Sequence, residues 1–263
     1  MRLLSFYRSS VGKKVVVAVT GAIMIGFLLL HAYGNLHAYF GADEINEYSY
    51  WLRSFASHLF GYGGFLWIVR VIVGGALILH VITIVLLIRQ NRLARPVGYR
   101  KKSRRHRTIV GLTMLFSGLL ILTFVVLHIL QFTSGTLQPT PFHEKDGMGI
   151  VYINLYEAFQ VWWIALCYVT AVGLVCIHIY HGAWSFFQTL GYNNADRNNF
   201  FRGTACVLAI GLFVSFSSVP VLFWTGAMPV PVESSAAPST KSAQQDMSTD
   251  EADRLATVSE RGR

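Results

Sequence analysis

Five long apolar stretches constrain this chain more than any other feature of its sequence. They extend approximately over residues 15–37, 64–88, 109–132, 161–187 and 204–227. A helix needs about 20 apolar residues to cross a bilayer, and a single spanning segment must be helical because lipid offers its backbone no hydrogen-bond partners. Charged residues make up only 13% of the chain, whereas soluble domains have about 25%. The sequence therefore predicts an all-α membrane protein with five transmembrane helices.

The basic residues indicate how the chain lies in the membrane. The segments before span one, between spans two and three, and between spans four and five together hold 15 of the 22 Lys and Arg residues and a single acid. The positive-inside rule places these segments in the cytoplasm, so we expect the N-terminus inside and the C-terminus outside. The net charge of +9 then reflects membrane topology, and no nucleic-acid partner is expected.

The two ends of the chain add little chemistry. The first apolar stretch is too long for a cleavable signal peptide and lacks a clear cleavage site. Residues 229–263 are rich in Ser, Ala, Thr and acids and predict a disordered tail, which leaves residues 1–228 as the transmembrane domain. Three cysteines cannot ligate a four-thiolate iron–sulfur cluster.

Four histidines fall inside the predicted spans, one in each of the first four. They are His31, His80, His128 and His178, separated by 49, 48 and 50 residues. Ionisable side chains within spans are rare and usually face the interior of a helix bundle, which makes them functional candidates. The other five histidines lie in loops or near span ends and are His37, His58, His106, His143 and His181.

The direction of each helix sorts these four histidines into two depths. His31 and His128 lie near the outer ends of helices that run outward. His80 and His178 lie near the cytoplasmic ends of helices that run inward, each about nine residues before that end. At 1.5 Å of rise per residue, the two levels differ by roughly 10–15 Å. Two imidazoles at one depth are what a six-coordinate b-type haem requires, and the first four spans are thus expected to form a haem-binding bundle. Zinc fits this pattern poorly, whereas a histidine proton relay is an open alternative.

Small residues and one arginine are compatible with this interpretation. Gly74 and Gly75 precede His80 by about one and a half turns, and Gly182 follows His178 by one turn, so they could leave room for a macrocycle. Helix packing through small residues is an equally good explanation of these glycines. Arg70 is the one basic residue well inside a span and is a candidate partner for a haem propionate, although snorkelling to the interface would also explain it.

Several stretches of the chain match a known family. They are Ser10-Val-Gly-Lys-Lys14 with Thr20-Gly21, His31-Ala-Tyr-Gly-Asn-Leu36, His80 with Asn91-Arg-Leu-Ala-Arg-Pro96, His128-Ile-Leu-Gln-Phe132, and His178-Ile-Tyr-His-Gly-Ala-Trp-Ser-Phe-Phe-Gln188 with Leu190-Gly191. Through them the chain resembles the membrane-anchor cytochrome b subunit of succinate:quinone oxidoreductases (succinate dehydrogenase and fumarate reductase, respiratory complex II) in its single-chain, five-helix, two-haem form. The resemblance covers about residues 5–227.

The resemblance implies a set of axial ligands. His31 and His128 would ligate an outer (distal) haem b, and His80 and His178 an inner (proximal) one, which agrees with the pairing by depth. In span four the family ligand stands four residues before a glycine, here Gly182, which favours His178 over His181; His37 is the second choice in span one. Some family members have a glutamate where this chain has Cys176, so the proton path proposed for them is not expected here.

The resemblance also implies partners and an activity. A flavoprotein with FAD and an iron–sulfur protein would dock on the cytoplasmic face of a bacterial inner membrane and interconvert succinate and fumarate. This chain would have no catalytic site of its own. It would pass electrons to or from a quinone, expected to be menaquinone. Tyr33 and Asn35 are candidate quinone contacts near the outer haem. Asp43, Glu44 and Glu47 lie near the same face and are expected to form a solvated loop. The alternatives are a haem b subunit of another dehydrogenase, such as hydrogenase or formate dehydrogenase, and a proton channel or transporter.

Overall fold

The computed structural model describes residues 2–94, 109–145 and 148–231. This part of the chain is helical apart from loops and a two-residue antiparallel ladder, which confirms the all-α class. Its helices are α1 (Arg2–Arg8), α2 (Ser10–Leu36), α3 (Ala42–Ser54), α4 (Ser57–Phe60), α5 (Gly64–Leu93), α6 (Ile109–Phe132), α7 (Val151–Gln160), α8 (Trp162–Thr189) and α9 (Asn198–Trp224), with β1 (Glu144–Lys145) and β2 (Met148–Gly149).

Five of these helices, α2, α5, α6, α8 and α9, are long and apolar enough to cross a membrane. Helix α6 has the predicted bounds, but α2 begins five residues early because the Ser9 side chain caps it and accepts a hydrogen bond from the Gly12 amide. Helix α5 continues five residues beyond its apolar stretch, and α9 covers 198–224 instead of 204–227. Backbone hydrogen bonding carries a helix past the apolar segment into polar sequence, which hydropathy alone does not locate.

The end of the bundle that holds α1 is fixed by polar contacts. Helix α1 folds back on α2 at Gly12, where a Cβ would collide with the Phe6 carbonyl oxygen. The buried Lys13 ammonium donates to the Arg8 carbonyl and to Gln90 Oε1, both at 2.8 Å. These contacts link α1, α2 and α5 close to the predicted cytoplasmic surface.

Helices α2, α8 and α9 pack together at the centre of the bundle, whereas α5 packs on α2 and α6 packs on α8. One apolar cluster joins the three central helices and consists of Ala32, Val172, Cys176, Ile179, Ala209 and Leu212. Helix α9 is therefore a central member of the bundle, beside the four spans that contain the intraspan histidines. Sequence hydropathy cannot rank spans by centrality, since all five are apolar on most of their surface.

The other end of the bundle is covered by α3 and α7, in segments that the sequence left as loops. The backbone amide of Tyr152 donates to Asn46 Oδ1 at 3.2 Å, which ties α7 to α3. Tyr152 is fully buried against Phe223 of α9, and its hydroxyl donates to the Pro229 carbonyl at 2.8 Å. The compact unit ends at Pro229, and the predicted tail lies outside the described residues except for its first three positions.

Candidate functional site

Two of the four intraspan histidines, His80 of α5 and His178 of α8, define a first level in the bundle. Their imidazoles are near enough to interact electrostatically. Each has its Nδ1 atom against a hydroxyl of a neighbouring helix: Thr20 Oγ1 lies 3.0 Å from His80 Nδ1, and Ser117 Oγ lies 3.2 Å from His178 Nδ1. Both hydroxyl residues are buried. We call this pair the His80 level.

The other two, His31 of α2 and His128 of α6, define a second level. Their ring centroids are 5.8 Å apart, and the ring planes meet at 78°. Phe27 stacks on His31 at 5.5 Å, and Phe216 of α9 lies 5.6 Å from the same ring. Apolar rings thus surround this pair, which we call the His31 level.

A polar group nevertheless reaches the His31 level. The Tyr168 hydroxyl of α8 lies 3.4 Å from His128 Nδ1 and donates a hydrogen bond to Gln131 Oε1 at 2.9 Å. Gln131 is itself buried. The imidazole of His128 therefore has a hydroxyl neighbour on its Nδ1 side, as His80 and His178 do.

The distance between the levels follows from these contacts. Thr20 contacts His80 and precedes His31 by eleven residues on α2; Ser117 contacts His178 and precedes His128 by eleven residues on α6. Eleven residues of α-helix rise about 16 Å. This rise is close to the 10–15 Å that counting residues from the span ends predicts.

The two second-choice histidines lie elsewhere. His37 belongs to a 3₁₀ turn after α2, where its Nδ1 atom lies 3.1 Å from Glu44 Oε1 and its ring stacks on Tyr48 at 4.3 Å. Asp43, Glu44 and Glu47 lie in helix α3, so the expectation of a loop was wrong, although all three side chains are exposed to solvent as expected. His181 is half-buried and lies edge-on to Trp184 at 6.1 Å.

The remaining candidate residues are Arg70, Tyr33 and Asn35. Arg70 is exposed, with its guanidinium 5.0 Å from the Trp67 ring. Tyr33 is 58% exposed beside His37. The Asn35 amide donates to the His31 carbonyl of its own helix at 2.9 Å, which engages one of the donors proposed for a quinone.

Three glycines that the sequence singled out stand next to open space. A Cβ placed on Gly74, Gly75 or Gly182 would meet no atom within 4 Å. In the described part of the chain, no three or more His, Cys, Asp or Glu side chains come together, whereas a protein zinc site uses three or four such ligands.

Sequence reasoning missed the hydroxyl residues that face the histidines, although a signal for two of them is present. Helices α2 and α6 carry the same pattern, a hydroxyl residue followed by glycine, nine further residues and histidine: Thr20-Gly21 before His31, and Ser117-Gly118 before His128. Tyr168 and Phe216 have no comparable signal, because their positions depend on how α8 and α9 pack.

The fold and the histidine pairs define a class: a five-helix, all-α membrane protein with two half-buried histidine pairs at different depths. Comparisons with protein-family models, curated proteins and solved structures find no match to this chain.

Proposed function

We propose that this chain is the membrane-anchor cytochrome b subunit of a succinate:quinone oxidoreductase and binds two b haems. The observation that supports this most strongly is the 5.8 Å separation of the His31 and His128 rings. With metal–imidazole bonds of about 2 Å, two imidazoles on opposite sides of one iron have ring centroids about 6 Å apart. The residues present therefore fit a bis-histidine haem at this level.

The chain would supply four histidine ligands, two at each level. His31 and His128 would hold the outer haem, and His80 and His178 the inner one. When bound, the haems would supply one-electron transfer. The protein's own contribution is to keep two ligand pairs about 16 Å apart in depth and to place His31 between the rings of Phe27 and Phe216.

The charge distribution supports the proposed partners and orientation. The predicted cytoplasmic segments hold 15 basic residues and one acid, which suits an anionic leaflet and the acidic docking surface of a soluble module. In this proposal, a flavoprotein and an iron–sulfur protein dock there, at the α1 end of a chain in the bacterial inner membrane. The His80 level is nearer that end and would exchange electrons with the iron–sulfur subunit.

The quinone would bind at the opposite end, near α3. Tyr33 stands there beside His37, whose ring is paired with the half-exposed Glu44 carboxylate. A quinone needs hydrogen-bond donors at its carbonyls and a group that exchanges protons, and these side chains supply both kinds. Tyr33 is the better of the two candidates because the Asn35 amide is engaged within α2.

The alternatives differ in what they require of the chain. The five spanning helices contain no Asp or Glu, the usual partners of histidine in a membrane proton relay, so a channel or transporter is less well supported. A haem b subunit of a hydrogenase or formate dehydrogenase would use the same ligand geometry, and only the partner distinguishes it.

Purification of the tagged chain from its native membrane separates these possibilities. We expect a flavoprotein and an iron–sulfur protein to co-purify, and succinate to reduce the haem b absorption while formate and hydrogen do not. A dehydrogenase of another specificity in the complex, with haem reduced by formate or hydrogen, would contradict the succinate assignment. A chain that carries no haem would contradict the haem proposal itself.

A further inference from the structure

The buried hydroxyls at the His80 level do more than fill space. We propose that Thr20 and Ser117 are positioning residues that hold His80 and His178 in one tautomer, with the proton on Nδ1 and the lone pair on Nε2. This inference rests on the proposed function for its purpose, because a lone pair on Nε2 is what an iron ligand needs. The tautomer itself can be measured without haem.

The position of the Thr20 hydroxyl hydrogen determines which group donates in the contact with His80. The Thr20 hydroxyl has one hydrogen, and Oγ1 lies 2.8 Å from the Val16 carbonyl oxygen and 3.1 Å from that of Val17. A carbonyl can only accept, and the Val16 carbonyl is the nearest of the three neighbours, so we assign the hydroxyl hydrogen to the helix backbone. The 3.0 Å contact with His80 Nδ1 must then be donated by the ring, which places the proton on Nδ1.

The same account holds for His178 on a different pair of helices. Ser117 Oγ donates to the Met114 carbonyl at 3.1 Å, and its oxygen lies 3.2 Å from His178 Nδ1. The ring is again the donor. The same arrangement of hydroxyl and imidazole therefore occurs in two different helix pairs, α2 with α5 and α6 with α8.

The glycine after each hydroxyl residue orients the ring. A Cβ at Gly21 would lie 3.7 Å from His80 Cε1, and a Cβ at Gly118 would lie 3.5 Å from His178 Cε1. The ring edge that carries Nδ1 and Cε1 therefore rests against the helix that bears the hydroxyl. Nε2 stands further from the hydroxyl than Nδ1 and is left for a ligand bond.

The eleven-residue spacing explains why the two levels share helices. Eleven residues are close to three full turns, so the hydroxyl and the later histidine lie on one face of α2, and likewise on α6. Each of these helices provides a ligand at the His31 level and a positioning hydroxyl at the His80 level. A hydrogen bond donated from Nδ1 raises the basicity of Nε2, and loss of such a partner typically weakens metal binding about 10- to 100-fold.

The test compares Thr20→Val and Ser117→Ala with the conservative variants Thr20→Ser and Ser117→Thr. Thr123→Val is the matched control, because the Thr123 hydroxyl also donates to its own helix, at Leu119, but is exposed. In haem-free protein labelled with ¹⁵N-histidine, we expect the ring nitrogen shifts of one histidine to change in each disruptive variant and in none of the others. Unchanged shifts in both disruptive variants would overturn the inference.

Haem-loaded protein gives the second readout. We expect Thr20→Val and Ser117→Ala to bind the inner haem about 10- to 100-fold more weakly and to shift its low-spin electron paramagnetic resonance signal, with recovery in the conservative variants. Haem affinity and signal equal to those of the unmodified chain would overturn the positioning role. A wild-type chain without haem would defeat the proposed function alone, because the nitrogen shifts still decide the tautomer.

Discussion

Gly118 gives the most quantitative test of the haem site. It lies on α6 beside His178, and a Cβ at this position would already be 3.5 Å from His178 Cε1, at ordinary van der Waals contact. Alanine should therefore be accepted, whereas the two γ-methyl groups of valine would enter the space of the ring and of a haem bound to it. Overpacking of this kind costs about 1–3 kcal/mol. Because about 1.4 kcal/mol is a factor of ten, Gly118→Val should weaken inner-haem binding roughly 5- to 150-fold.

The assay is haem content per chain, titrated with added haem and followed by the reduced-minus-oxidised spectrum. Gly211→Val is the matched control, because Gly211 is an exposed glycine of α9 whose Cβ would meet nothing within 4 Å. We expect Gly118→Val to fill its inner site only at a roughly 5- to 150-fold higher haem concentration, and Gly118→Ala and Gly211→Val to fill both sites as the unmodified chain does. Full inner-haem affinity in Gly118→Val, or an equal loss in Gly211→Val, would refute the reasoning.

Three further predictions concern the histidine ligands, the cap that helices α3 and α7 form over one end of the bundle, and the membrane topology. His178→Ala should halve the haem content while His181→Ala leaves it unchanged, and the reverse result would show that the ligand was misassigned. Asn46→Ala removes the acceptor of an α7 backbone amide, so thermal denaturation should show a loss of about 1–3 kcal/mol; an unchanged midpoint would contradict a role for this bond. In a cysteine-free background, an impermeant maleimide should label Ser134→Cys in intact cells and not Asn194→Cys, and labelling of Asn194→Cys alone would invert the topology.

The sequence predicted the spans well because lipid imposes a simple rule on them. An apolar segment of sufficient length must be helical, so α6 has both predicted ends, and the other four spans differ by a few residues where polar turns extend the helix. The cap formed by α3 and α7 was not predicted. Its stability depends on tertiary contacts such as Tyr152 with Phe223, which local hydropathy does not report.

In the candidate site, the depth of each histidine could be predicted from the sequence, whereas the contacts of its ring could not. Counting residues from span ends places His31 with His128 and His80 with His178, because depth along a helix is fixed by its rise. The partners around each ring depend on how neighbouring helices are rotated and packed. A hydroxyl such as Thr20 reads in the sequence as an ordinary residue that bonds its own helix, which it also does. Its second contact, with His80, exists only once α5 packs on α2.

The haem content of the purified wild-type chain tests the central claim most directly. The pyridine haemochrome spectrum, measured against protein concentration, should give two b haems per chain, both low-spin in the oxidised state as bis-histidine ligation requires. One haem per chain would contradict the pairing of the four histidines at two levels. A preparation without haem, from cells that supply haem to other cytochromes, would contradict the account as a whole.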